Sequence, residues 1–171
     1  AEGLYARVTA GFDIFWDERR GTYVDHIVDG VQQPEMSQLA GALAICSGLA
    51  PEDRWPRIVE TITDPDRLVV RSWTGGGDGE YSAQKMQKQF MGIYEIDWDA
   101  EHEIVLAEPF MSYTVHDAVA LAGQSARLPD LHRRWLEFLA DGYDPIRECW
   151  GLCPHGHCWS CGAARAATVR P

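Results

Sequence analysis

Ser37-Gln38-Leu39-Ala40-Gly41-Ala42-Leu43-Ala44-Ile45-Cys46-Ser47-Gly48 is the stretch that decides the fold. A serine stands where its oxygen can accept from the unpaired amides of a first helical turn, a run of small apolar residues follows, and a glycine stands where the chain must turn away. The segment predicts a helix over Leu39 to Cys46. Within it, Ala40-Gly41-Ala42 carries so little bulk that a neighbouring element can pack closely against it.

The same reading extends in both directions. Toward the amino end, Leu4, Val8, Phe12, Phe15 and Trp16 recur at helical spacing up to the turn signal Arg20-Gly21, which predicts a first helix. Beyond Pro51, a third helix carries Trp55, Ile58, Val59 and Ile62 on one face and ends at Asp64-Pro65, because a residue before proline avoids helical angles. Gly75-Gly76-Gly77 marks a loop, and a further helix is expected from about Ser82 to Gly92. Pro109 suits a first helical turn, followed by Phe110, Tyr113, Val115, Ala118, Val119 and Ala122 with Gly123 as the stop. Pro129 opens the last helix, with Leu131, Trp135, Phe138 and Leu139, before Asp141-Gly142. Extended pieces are short: Thr22 to Asp25 and Leu68 to Ser72. Consecutive helices joined by turns predict an all-α fold built of helical hairpins. Trp16, Trp55 and Trp135 keep helical spacing with other apolar residues and read as core.

At 171 residues and 46% hydrophobic, the chain has material for one core rather than two. A formal charge of -11, with no run of Lys or Arg longer than a pair, repels phosphate backbones and anionic headgroups, so neither nucleic acid nor a membrane surface is an expected partner. Ala1-Glu2-Gly3-Leu4 shows no sorting signal, and the absence of a starting methionine reads as a piece of something larger. Four of the five cysteines crowd into positions 149 to 161, unlike a framework that staples distant loops, so a reducing compartment such as the cytoplasm is expected.

That cysteine-rich stretch also holds the chemistry. Glu148-Cys149-Trp150-Gly151 is followed, nine residues after the glutamate, by His157-Cys158-Trp159-Ser160. A carboxylate, a histidine and two indoles in a Gly-rich region make a kit for sugar cleavage: indole faces stack on pyranose C–H surfaces, and desolvation adjusts the acid's proton affinity. A solvated helix-end carboxylate is the plain alternative for Glu148. A rival reading is a zinc site built from Cys149, Cys153, His155, His157, Cys158 and Cys161, with Cys158-x-x-Cys161 as a knuckle in a non-enzymatic helical module. The Cys-x3-Cys spacing is unusual for it, and no metal or other cofactor is expected.

The two elements resemble the end of the catalytic domain of bacterial α-L-rhamnosidases, six-hairpin glycosidases in which a Glu-x-Trp element precedes His-x-Trp-Ser. Phe15-Trp16-Asp17-Glu18-Arg19-Arg20-Gly21-Thr22-Tyr23-Val24-Asp25 resembles that family's segment joining an outer helix to the barrel mouth. Ser37-Gln38 with its Ala-rich helix, and Pro109-Phe110-Met111-Ser112-Tyr113 leading to Asp117-Ala118, also match, in the family's order and over nearly the whole chain.

The resemblance implies that residues 1–171 form about the last half of an (α/α)6 toroid acting on a carbohydrate substrate. It implies that Glu148 is the general base of an inverting hydrolysis of terminal α-L-rhamnosides, and that His157 contacts the sugar beside Trp150 and Trp159. Trp73, beside the triple glycine, is a further sugar-lining candidate, preferred over Trp98. The reaction needs a second carboxyl group about 6.5–9.5 Å away, which the family carries in the earlier half of the barrel. Asp17-Glu18-Arg19 matches the later segment instead and reads as structural. The chain alone is therefore expected to be inactive, to lack its partner half, and to self-associate through uncovered hairpin faces. After His-x-Trp-Ser the family continues through a proline into a helix, whereas here Cys161-Gly162-Ala163-Ala164-Arg165 runs on to Pro171. Another terminal sugar is compatible with the same base.

Two further features read as structural. The alternating acids Glu95, Asp97, Asp99, Glu101 and Glu103 predict a solvated strand face or loop edge, with calcium as the alternative. His26 and His116 read as structural histidines.

Overall fold

A computed structural model describes residues 2–70 and 99–136, and regular structure there is mostly helical. Five α-helices are described: α1 (Glu2–Phe12), α2 (Gln38–Cys46), α3 (Trp55–Ile62), α4 (Ser112–Leu121) and α5 (Leu128–Arg133). Single 3-10 turns lead into α3, α4 and α5. Six two-residue strands, β1 (Trp16–Asp17), β2 (Thr22–Tyr23), β3 (Ile27–Val28), β4 (Val31–Gln32), β5 (Leu68–Val69) and β6 (Ile104–Val105), pair as β1–β2, β3–β4 and β5–β6.

Helix α2 forms as its sequence predicts. The Ser37 hydroxyl accepts from the Ala40 amide at 3.1 Å, satisfying one of the amides that a helix start leaves unpaired, and Gly48 leaves the helix at φ +70°. Helix α2 packs against both α3 and α4. Ala42, Ala44 and Ile45 of α2 meet Ile58, Val59 and Ile62 of α3 and Val115, Ala118 and Val119 of α4 in one core, with Tyr23 of β2 joining it.

The glycine in this helix has a steric reason. A Cβ at Gly41 would stand 2.8 Å from Ile62 Cγ2 and 2.9 Å from Thr22 Oγ1, both on fully buried residues. Its absence lets α3 and β2 reach the α2 backbone.

The first helix is shorter than its apolar spacing predicts. It ends at Phe12, a 3-10 turn spans Asp13–Phe15, and Trp16 opens a β-hairpin. Leu4, Tyr5 and Val8 are exposed, while Phe12 and Phe15 pack on the core. Trp16 is half-buried at the core margin, with the Arg54 guanidinium 4.4 Å from its ring, a cation–π contact that spacing does not reveal. On the Pro109 segment, Phe110 and Tyr113 point outward, and the buried face is Val115, Ala118 and Val119. The last helix is described only to its end at Arg133; Phe138 and Leu139 lie outside the described residues, as do Gly75 to Gly77 and the expected helix over Ser82 to Gly92.

Where it is described, the acidic run is a loop edge rather than a strand face. The Asp99 carbonyl accepts the amides of both His102 and Glu103, which makes a tight turn, and the strand begins only at Ile104. Asp99 pairs with His102 at 2.7 Å and Glu101 with Arg19 at 2.6 Å, so these acids do not line one strand face. Glu95 and Asp97 lie outside the described residues. Strand β6 then runs between two partners. The Ile104 and Leu106 amides donate to Arg67 and Val69 on one side, and the Val105 amide donates to Met36 on the other.

One buried cation ties these parts together. The Arg20 side chain donates from Nε to Asp17 Oδ2 at 2.6 Å, and from Nη1 to the carbonyls of Pro34 at 2.5 Å and Ala100 at 3.3 Å. The β1–β2 turn, the segment entering α2 and the turn before β6 are thereby joined through one guanidinium.

Replacing Gly41 by Ala should lower stability by about 1–3 kcal/mol through overpacking, more than the gain of up to about 1 kcal/mol from helix propensity. A urea midpoint below that of the parent chain checks it.

Candidate functional site

The residues to which the sequence assigns chemistry, Glu148, Trp150, His157, Trp159 and Trp73, lie outside the described residues. So do Trp98 and the cysteine–histidine set Cys149, Cys153, His155, Cys158 and Cys161. Among the described residues, no group of three or more His, Cys, Asp or Glu side chains is arranged to hold a metal ion. No described helix is long and apolar enough to cross a membrane.

The segment from Phe15 to Asp25, which resembles a link to a barrel mouth, is described in full. It offers two carboxylates in sequence, Asp17 and Glu18, and both are engaged. Asp17 Oδ1 accepts from the Arg20 amide at 3.0 Å while Oδ2 accepts from its guanidinium. Burial pushes the Asp17 carboxyl up, but the Arg20 hydrogen bonds and charge outweigh it and hold it below its ordinary value. Glu18 accepts from Trp16 Nε1 at 2.8 Å and pairs with Arg57, and these bonds lower its carboxyl too. A general acid needs the opposite, a carboxyl raised toward neutrality. Neither residue has the character of a general acid.

The next polar group sits at the base of the β3–β4 hairpin. Asp29 at φ +50° and Gly30 at φ +79° turn that hairpin, the backbone sign of a two-residue Asp-Gly loop. Below it the Asp25 amide donates to Glu35 O, and Asp25 Oδ1 accepts from both the amide and the hydroxyl of Ser37 at 2.9 and 2.8 Å. Asp25 thus braces the residue that caps α2. His26 Nε2 stands 3.9 Å from Glu35 Oε2, beyond hydrogen-bond reach.

A cleft of about 460 Å³ is lined by α4, by the start of α2 and by the segments flanking β5, β6 and α5. Leu68, Leu106 and Val115 form apolar wall, and α5 with its continuation adds Leu131 and Trp135. Gln38 lies within this wall as a buried strut: its amide donates to Ile62 O at 2.9 Å, and its carbonyl oxygen accepts from the Ala107 amide at 3.1 Å. That places the Ser37-Gln38 motif in direct contact with the segment leading to Pro109.

Charge in the cleft comes from Arg127, Asp130, Arg133 and Arg134, and His116 adds an imidazole. His116 lies edge-on to His132, ring centres 4.4 Å apart. Burial lowers its proton affinity, and the neighbouring His132 lowers it further. It is a cleft-lining histidine as well as a structural one.

The sequence does not announce the buried roles of Arg20 and Gln38, nor Arg127 at all. Asp17 followed by Arg20-Gly21 carried a turn signal, but nothing in it announced a buried guanidinium, and Arg127 sits in a stretch with no apolar period. No protein-family description, curated protein or solved structure matches the chain.

The depressed Asp17 carboxyl carries a sign that can be measured. A folded-state value below the unfolded one contributes stability that is present above the unfolded value of about 3.9 and lost as pH falls through the folded value. Asp17→Asn should therefore be less stable than the parent at neutral pH, with the gap closing under acid. Urea midpoints across pH 2 to 7, taken as variant minus parent, check it.

Proposed function

We propose that the chain is a part of a six-hairpin glycoside hydrolase, resembling the later half of an α-L-rhamnosidase catalytic domain, with Glu148 as the base of an inverting hydrolysis. The observation that carries this reading is the order of the motifs: Phe15 to Asp25, Ser37-Gln38, Pro109 to Tyr113, Glu148-Cys149-Trp150, then His157-Cys158-Trp159-Ser160.

Three structural features support it. Regular structure is mostly helical, and the consecutive helices α2 and α3 pack against each other. The motifs at Ser37-Gln38 and Pro109 meet through the Gln38 amide. The exposed Leu4, Tyr5 and Val8 of α1 present the kind of apolar face that a preceding hairpin of a toroid would cover.

In the proposed chemistry, Glu148 takes a proton from water as that water attacks the anomeric carbon, while a carboxylic acid from the earlier half of the barrel protonates the leaving oxygen. His157 hydrogen-bonds the sugar, and the indoles of Trp150, Trp159 and Trp73 offer it flat apolar faces. The two carboxyls act on opposite sides of the ring, so a chain with one of them has half a reaction.

The isolated chain should release no rhamnose from an aryl rhamnoside. A longer protein that also supplies the first half of the barrel should release it, and Glu148→Gln should lower that rate by about 10²–10⁴-fold. Activity of the longer protein that survives Glu148→Gln contradicts the assigned base. Activity of the short chain, free of contaminating glycosidases and lost in Glu148→Gln, contradicts the need for an absent acid.

A further inference from the structure

The cleft beside α4 and α5 carries a charge that its own walls leave uncompensated. Arg127 is half-buried, and its two side-chain hydrogen bonds run to neutral oxygens, from Nε to Gln124 Oε1 at 2.6 Å and from Nη1 to Thr63 Oγ1 at 3.2 Å. No carboxylate among the described residues pairs with it. Asp130, the acid of the lining, is already engaged by Arg133 at 2.9 Å. A guanidinium has five N–H donors in a planar fork and keeps its charge at any physiological pH, so Arg127 retains donors for an anion. In a chain of net charge -11, the guanidinium of Arg127 is a local reversal of sign.

The remaining walls narrow the class of anion. Leu68, Leu106, Val115, Leu131 and Trp135 give an apolar surface, and a volume of about 460 Å³ lies in the range of small-molecule pockets, about 300–1,000 Å³. The amide and hydroxyl groups beside them are spent internally. Gln38 uses both ends of its amide, Thr63 donates to Val59 O and Ser112 donates to Pro109 O. Such a wall offers little to a hydroxyl-rich sugar. A phosphate dianion needs several charged donors, and the acidic chain repels it more strongly than a monoanion.

We propose that this cleft binds a small organic carboxylate, whose charge Arg127 receives through a charge-assisted hydrogen bond and whose apolar body rests on Leu68, Leu106, Leu131 and Trp135. The inference does not rest on the glycosidase reading.

Titration of the full chain with sodium benzoate, followed by the ¹H–¹⁵N signals of the Arg127 Nε–H and the Trp135 indole, tests the proposal. Benzoate should shift both signals saturably, while the isosteric neutral benzamide should bind at least tenfold more weakly. Inorganic phosphate should shift Arg127 without saturating Trp135. Arg127→Gln should weaken benzoate at least tenfold, and Arg127→Lys, which keeps the charge and loses the fork, should weaken it several-fold, so the pair remains informative should one variant fold poorly. Equal binding of benzoate and benzamide, benzoate binding unchanged in both variants, or no saturation into the tens of millimolar overturns it.

Discussion

The buried pair of Arg20 and Asp17 is the interaction on which the described architecture turns. Both side chains are almost withdrawn from solvent, at 6% and 14% exposure, and a guanidinium taken out of water must be repaid by well-placed acceptors. Asp17 supplies charge and two oxygens, and the carbonyls of Pro34 and Ala100 complete the set. The Arg20 carbonyl in turn accepts from Thr61 of α3 at 3.2 Å. Residues far apart in the chain thus converge on one side chain. Strands of two residues have little stability of their own, so the hairpin β1–β2 owes its place to this centre and to Tyr23 in the core.

From that centre the rest follows outward. The segment held at Pro34 leads to Met36, whose carbonyl accepts from β6, and to Ser37, which caps α2 and is itself braced by Asp25. Helix α2 then packs closely on α3 because Gly41 leaves room, and Gln38 at its start links α3 to the entry of α4. The cleft is walled in part by this same strut, Gln38, and by Val115 of α4. Its positive charge arises where the 3-10 turn entering α5 brings Arg127 toward the apolar wall of α4 and β6. The proposed hydrolase chemistry and the proposed carboxylate site use different residues of the chain.

Much of the helical structure was legible in sequence because its signals are local. Ser37, Gly48, Pro51, Pro65 and Gly123 act on their own backbone neighbours, and Ile58, Val59 and Ile62 report their buried face by period alone. What escaped was non-local or in conflict with a local pattern. Helical spacing continues from Phe12 to Trp16, yet the chain leaves the helix there because the ion pair and the cation–π contact reward a hairpin instead. The alternation of acids at 99–103 left strand face and loop edge open, and the Asp99 carbonyl and carboxylate decide for the loop by collecting nearby donors into a turn. The Asp29-Gly30 hairpin carried a recognisable signature that helical periodicity overshadowed. Of the proposed chemistry, the ordered motifs around Glu148 and His157 were readable as a resemblance. Arg127 was not, because an uncompensated charge is visible only when its surroundings are.

A double-mutant cycle on Arg20→Ala and Asp17→Ala, read by urea unfolding at neutral pH, measures the central interaction most directly. The account predicts a loss of about 3–5 kcal/mol for Arg20→Ala, a smaller loss for Asp17→Ala, and a coupling energy of about 1–3 kcal/mol between them. Losses that simply add, to within about 0.5 kcal/mol, would contradict it.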